Sequence, residues 1–183
     1  MMRAQDARLG GVRILTPEVH ADQRGFLVES YRAADLVDAG IADEFVQDNH
    51  SRSVRGALRG LHFQAPPGQA KLVRVARGSI YDVVVDIRRA SPTFGQHLAV
   101  TLDDVDHRQL YIPTGFAHGF LVTSDEADVV YRLSRYYDAA LERGIAWDDP
   151  ALGIEWPHLS PTLSDRDRSN PSLAELPPDL TDW

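Results

Sequence analysis

Residues 58–87 read LRGLHFQAPPGQAKLVRVARGSIYDVVVDI. Three short runs stand out in this stretch: Leu58–Gln64, Lys71–Arg77 and Ile80–Ile87. Pro66-Pro67-Gly68 and Gly78 punctuate them, and none shows a helical period. Successive strand residues point to opposite faces. In the third run Tyr81, Val83, Val85 and Ile87 then share one face, while Ile80, Asp82, Val84 and Asp86 share the other. Two carboxylates among aliphatics point to a barrel lumen or a partnered site, because an unpaired buried charge is costly.

The same rhythm continues downstream through Gly95–Leu102, Arg108–Ile112, Gly119–Val122 and Val129–Tyr137. The last run places Val129, Tyr131, Leu133, Arg135 and Tyr137 on one face. Upstream, Gly11–Thr16 reads as a strand, Pro17–Gly25 as a loop and Phe26–Tyr31 as a strand. Arg32–Ala39 reads as a short helix ended by Gly40, and Phe45–Asn49 as extended chain. After Trp147 the chain turns rich in Pro, Asp and Ser and reads as loops packed on the body. Many short strands with Gly and Pro punctuation indicate an all-β sandwich or barrel. We expect one domain over residues 1–183, a length that supports a substantial core.

Composition narrows the function classes. Hydrophobic residues make up 43% and charged residues 25%, as in globular domains. No apolar run approaches the roughly 20 residues that cross a bilayer, and Met1–Gly10 lacks a signal-peptide core. With no cysteine, disulfides and thiolate metal sites are excluded, and a cytoplasmic location is the default expectation. A formal charge of −8 argues against a nucleic-acid partner. Its distribution is uneven. No carboxylate lies between Asp48 and Asp82, whereas Arg52, Arg55, Arg59, Lys71, Arg74 and Arg77 do. An exposed basic face accounts for any one of these residues. The block as a whole points to binding of phosphate or carboxylate.

His62 lies mid-strand with Gly60 before it on the same face, where a small residue would leave room for a ligand over the ring. A lone histidine is most often structural. Here Arg59 and Lys71 flank it, and an imidazole suits proton abstraction near neutral pH. Lys71 shares a face with Val73 and Val75, a placement that yields a functional ammonium unless the lysine turns to water at the strand end. Strict alternation puts Arg59 and His62 on opposite faces, so either a bulge intervenes or Arg59 turns inward from the strand end. A metal-binding cupin offers two histidines one residue apart, but Gln64 stands where the second would be. His118 alone resembles the later cupin histidine, and we expect no metal. Nucleophile-elbow, dinucleotide and P-loop fingerprints are absent.

Several motifs then run in order along the chain. They are Asp22-Gln23-Arg24-Gly25-Phe26, Phe45-Val46-Gln47-Asp48-Asn49-His50-Ser51, Leu58-Arg59-Gly60-Leu61-His62 and Gln69-Ala70-Lys71-Leu72-Val73-Arg74. Further on come Asp86-Ile87-Arg88 with Ser91-Pro92-Thr93-Phe94-Gly95, Ile112-Pro113 with Gly115-Phe116-Ala117-His118-Gly119-Phe120, and Gly144-Ile145-Ala146-Trp147-Asp148-Asp149-Pro150. Together they resemble the dTDP-4-dehydrorhamnose 3,5-epimerase family. The resemblance implies a cupin-like jelly-roll β-barrel, a homodimer and no cofactor. It implies epimerisation of dTDP-4-keto-6-deoxyglucose at C3 and C5 to dTDP-4-keto-L-rhamnose, or exchange at one of these carbons in a specialised pathway. A non-catalytic sugar-nucleotide binder and a metal-dependent cupin are more distant rivals.

By the same resemblance His62 is the base, supported by Asp167, and Tyr131 is the acid on the opposite face. Lys71 stands beside the developing enolate. Arg24, Glu29, Gln47, Asn49, Arg59, His118, Glu142 and Arg166 match the substrate-binding set, with Arg166 where a lysine is common. Tyr137 matches the residue that stacks on thymine, and Asp82 is a further expected site-lining carboxylate.

Overall fold

Alternation along the quoted stretch becomes real strand pairing in the structure, a computed structural model that describes residues 2–183. The strands are β1 (Arg3–Asp6), β2 (Arg13–Thr16), β3 (Val19–Asp22), β4 (Gly25–Val28), β5 (Gln47–Val54), β6 (Leu58–Gln64) and β7 (Lys71–Arg77), followed by β8 (Ser79–Asp86), β9 (His97–Asp103), β10 (Gln109–Ile112), β11 (Phe116–Val122), β12 (Glu126–Leu133) and β13 (Glu142–Gly144). Among the described residues the strands are accompanied by two short α-helices, α1 (Ala33–Asp38) and α2 (Asp165–Arg168), and by two 3-10 turns near the C-terminal end, Leu173–Glu175 and Pro178–Leu180.

A six-stranded sheet has the order β1-β2-β10-β7-β12-β5, and a five-stranded sheet the order β13-β6-β11-β8-β9. The strands pair antiparallel throughout. The two sheets face one another as in a jelly roll, each keeping its own set of strands. Between them lies a core of Val73, Val75, Ile80, Val84, Leu110, Phe120 and Val129. The outer face of the five-stranded sheet carries Val83, Val85 and Ile87 and is covered by Leu152, Leu173 and Leu176 of the C-terminal segment. Leu36 of α1, with Ile41, covers Leu15, Leu72 and Tyr111 on the outer face of the other sheet. Asp82 and Asp86 are fully buried and both partnered, Asp86 by Arg88, Ser91 and Thr93.

Local chemistry sets the boundaries. Gly78, between β7 and β8, has φ +83, and a Cβ there would lie 2.1 Å from the Glu126 carbonyl oxygen. Only glycine permits that turn. The β12 strand ends at Leu133, four residues short of the expected Tyr137. Its two neighbours end there too, with Gln47 and Lys71 as the last partners of Leu133. Tyr137 therefore leaves the strand face of Tyr131 and approaches from the following loop.

The expected loop Pro17–Gly25 contains a strand, β3, and the expected strand Phe26–Tyr31 is present as β4, which ends at Val28; the two pair as a separate hairpin. Asp22 Oδ1 accepts the Arg24 backbone N–H at 2.8 Å, and Gly25 has φ +125, which together shape its turn. Phe26 is 58% and Leu27 71% exposed, so this hairpin lacks the in–out alternation that betrays a strand. The short strands β1 and β13 and the helix α2 had no counterpart in the sequence pattern.

Candidate active site

The quoted strand β6 carries the centre of the site, and a β-bulge aims it. His62 is paired with His118 of β11, but Arg59 is paired with Phe120. Three steps on β6 thus oppose two on β11, and the extra residue inverts the alternation. Arg59 and His62 consequently face the same cavity. The bulge resolves their expected opposition. It also changes the role of Gly60. With φ +133, a Cβ on Gly60 would lie 2.4 Å from Gly119 Cα. The glycine lets two backbones touch; it does not clear space over the imidazole.

The cavity has a volume of about 500 Å³ and lies between the two sheets. Asn49, Lys71 and Tyr131 line it from the six-stranded sheet, and Arg59, His62, His118 and Glu142 from the other. Tyr137, Arg166 and Asp167 close it from loops and from α2. His62 Nε2 lies 2.6 Å from Asp167 Oδ1. Burial works to raise the pKa of Asp167, but its hydrogen bond with His62 and the imidazole charge, helped by the Gly60 N–H and Ser164, hold it below the usual carboxylate range. Ser164 caps α2 by accepting the Asp167 backbone N–H, which fixes that carboxylate under the ring. His118 forms a second pair, its Nε2 lying 3.0 and 2.9 Å from the two Asp82 oxygens.

Lys71 Nζ crosses from β7 and donates to the His62 carbonyl oxygen at 3.2 Å. Burial lowers its pKa to about 8, against the opposing pull of Glu142 and Asp82. The lysine keeps some surface on the cavity side, while packing removes its ammonium from bulk water. Arg59 Nε donates to Ser53 Oγ at 2.9 Å, and no carboxylate reaches its guanidinium among the described residues. Tyr131 faces His62 from the opposite sheet, its hydroxyl without a hydrogen-bond partner among the described residues.

Tyr137 and Arg166 converge on one carboxylate. Tyr137 OH donates to Glu142 Oε2 at 2.5 Å, and Arg166 Nη1 donates to the same oxygen at 2.6 Å. Burial works to raise the pKa of Glu142, but these partners hold it below normal. Among the described residues no group of three or more His, Asp or Glu converges to hold a metal ion.

Four expected residues do not line the cavity. Asp82 is fully buried and reaches the cavity residue His118 through that ring's Nε2. Gln47 donates to Asn49 Oδ1 at 3.0 Å and accepts the Tyr137 N–H at 2.9 Å, so it braces two cavity residues from outside. Arg24 and Glu29 belong to the exposed hairpin and its exit, where they pair with Asp22 and Arg32. Conversely Ser51, Gln64, Gln69 and Phe120 line the cavity without having been singled out. For Gln64 a signal existed, since it shares a strand face with His62.

Comparison with known proteins extends this geometry. The family model described as dTDP-4-dehydrorhamnose 3,5-epimerase matches residues 6–175. A relative of that name from Shigella flexneri is 52% identical over 158 residues, covering 85% of this chain and 87% of its own. The crystal structure of the 3,5-epimerase of Legionella pneumophila, in complex with dTDP-4-keto-L-rhamnose, superposes with a TM-score of 0.96 at 42% identity, covering 100% and 99% of the two chains. A 4-keto-6-deoxy sugar epimerase from the novobiocin cluster of Streptomyces spheroides gives a TM-score of 0.91 at 44% identity, covering 96% and 89%.

Proposed function

Since the chain belongs to the dTDP-4-dehydrorhamnose 3,5-epimerase family, we propose that it epimerises dTDP-4-keto-6-deoxyglucose at C3 and C5, giving dTDP-4-keto-L-rhamnose. The observation that carries the mechanism is the 2.6 Å contact of His62 with Asp167, set opposite Tyr131 and beside Lys71.

C3 and C5 both flank the C4 ketone, so one carbonyl acidifies both hydrogens. With its Nε2–H donated to Asp167, His62 keeps a free lone pair on Nδ1 to take the proton. Asp167 holds that tautomer and stabilises the imidazolium that forms. The electron pair of the broken C–H bond moves into the enolate, where the Lys71 ammonium opposes the negative charge at the ketone oxygen. Inversion requires the new proton from the other face. Tyr131, on the opposite sheet, supplies it. Arg59 suits the diphosphate, because Ser53 fixes its plane and leaves its other N–H groups free. The exposed ring of Tyr137 suits stacking on thymine. The chemistry needs no metal, and chelation should leave turnover unchanged.

Arg24 and Glu29 fit this scheme in a homodimer. The hairpin beside them presents Phe26 and Leu27 to solvent, away from its own cavity, and in a dimer it would complete the partner's site. Likeness to a relative named dTDP-4-dehydrorhamnose 3-epimerase, from Streptomyces niveus and 45% identical over 176 residues, keeps exchange at a single carbon as a second reading. One experiment separates the readings. Incubation with dTDP-4-keto-6-deoxyglucose in heavy water should place deuterium at both C3 and C5. Label at one carbon favours the single-site reading, and label at neither sinks the proposal.

A further inference from the structure

Among the described residues three glutamine side chains are buried, and two have evident structural work. Gln69 Nε2 donates to the Arg135 carbonyl and Gln109 Nε2 to the Ser30 carbonyl, both at 2.8 Å. The third, Gln64, is only 7% exposed, yet its amide has no hydrogen-bond partner among the described residues. It lines the cavity.

Its neighbours are already committed. Glu142, its partner in the strand register, is held by Tyr137 and Arg166. The Lys71 ammonium is donated to the His62 carbonyl. The amide keeps accessible surface on the cavity, so it stands free to bond whatever occupies that space. From this we infer that Gln64 is a substrate-binding residue whose amide hydrogen-bonds a hydroxyl of the hexose ring, next to the carbon that His62 deprotonates. The inference rests on the epimerase reading.

Placement favours the sugar over the rest of the ligand. Gln64 lies two residues beyond His62 on the same strand face, a spacing of about 7 Å. Arg59, the cation suited to diphosphate, lies on the other side of His62 along the strand. A neutral amide offers both a donor and an acceptor, which matches a hydroxyl; a phosphate oxygen only accepts. Tyr137 is half-exposed, whereas Gln64 keeps only 7% of its surface exposed. Gln64 also stands where a metal-binding cupin would carry its second histidine, so a ligand atom would here be met by an amide.

The test compares the wild type with Gln64→Met, which keeps length and volume but removes the amide. We expect kcat/KM for the keto sugar nucleotide to fall about tenfold or more. Inhibition by dTDP, which lacks the sugar, should stay within about twofold. Removing an unpaired amide should leave the ligand-free protein melting no lower than the wild type, an outcome a merely structural glutamine would not give. Should Gln64→Met fail to fold, Gln64→Glu loses the amide donor at unchanged size and should show the same split between turnover and dTDP inhibition. Unchanged kcat/KM, or a parallel loss of dTDP binding, would overturn the assignment. A wild-type protein that exchanges no deuterium would instead sink the epimerase reading itself.

Discussion

His62 and His118 are register partners on neighbouring strands, and each reaches through Nε2 to a carboxylate of its own. The pairs differ in access. Asp82 is wholly enclosed behind His118, whereas Asp167 is delivered from α2, a separate element that caps the cavity. Asp167→Asn should keep the fold and misplace the proton on His62. A loss in kcat of about 10²- to 10⁴-fold is expected, read as the rate of deuterium incorporation.

Tyr131 and His62 face each other from different sheets, so abstraction and delivery of the proton are separable. Tyr131→Phe should slow formation of inverted product by about 10²-fold or more while solvent exchange falls far less. Equal losses in both measurements would remove Tyr131 as a distinct acid.

Lys71 carries the pH dependence. With its pKa lowered to about 8 by burial, it loses its charge in the free enzyme above that pH. On the alkaline side kcat/KM should fall about tenfold per pH unit, and Lys71→Arg should abolish that limb because arginine stays charged. Stability should move the other way. The unfolded lysine, near 10.5, binds protons more readily than the folded one, so folding strengthens as pH rises from about 8 to 10.5. Falling activity alongside rising stability distinguishes this titration from alkaline unfolding.

Gly60→Ala should be severely destabilising. The new Cβ would meet Gly119 Cα at 2.4 Å, backbone against backbone, at a φ of +133. A loss on the order of 3 kcal/mol or more is expected in denaturant unfolding. Wild-type stability would contradict the bulge.

The hairpin can be tested by complementation. Arg24→Ala and His62→Ala should each be inactive as pure proteins. If Arg24 serves the partner's cavity, refolding them together forms mixed dimers with one intact site, and activity returns. No recovery from confirmed mixed dimers would place Arg24 outside the partner's site.

Strand content was legible wherever alternation met glycine and proline punctuation. Leu58–Gln64 and Lys71–Arg77 form strands with the expected bounds. Faces were legible too, except at the bulge. That device depends on Gly60 meeting Gly119 across the sheet, a pairing that no local pattern encodes. Tyr137 was misplaced for a similar reason, because β12 stops where its neighbours stop. His62 and Lys71 could be argued from their own strands. Asp167 lies 105 residues from His62, and only resemblance to a family singled it out. The exposed strand β3 escaped because a strand facing water shows no period, whereas β4 coincides with the start of the expected strand Phe26–Tyr31.

The bond from Lys71 to the His62 carbonyl joins the two sheets at the place where the reaction is proposed to occur. Cation and acid sit on one layer and the base on the other, so the gap between the layers sets how far the base stands from both. Any breathing of the sandwich that widens the gap draws His62 away from Lys71 and Tyr131 at once, without unfolding a single strand. Heating should therefore silence the enzyme before it melts, with inactivation preceding the loss of β-sheet signal.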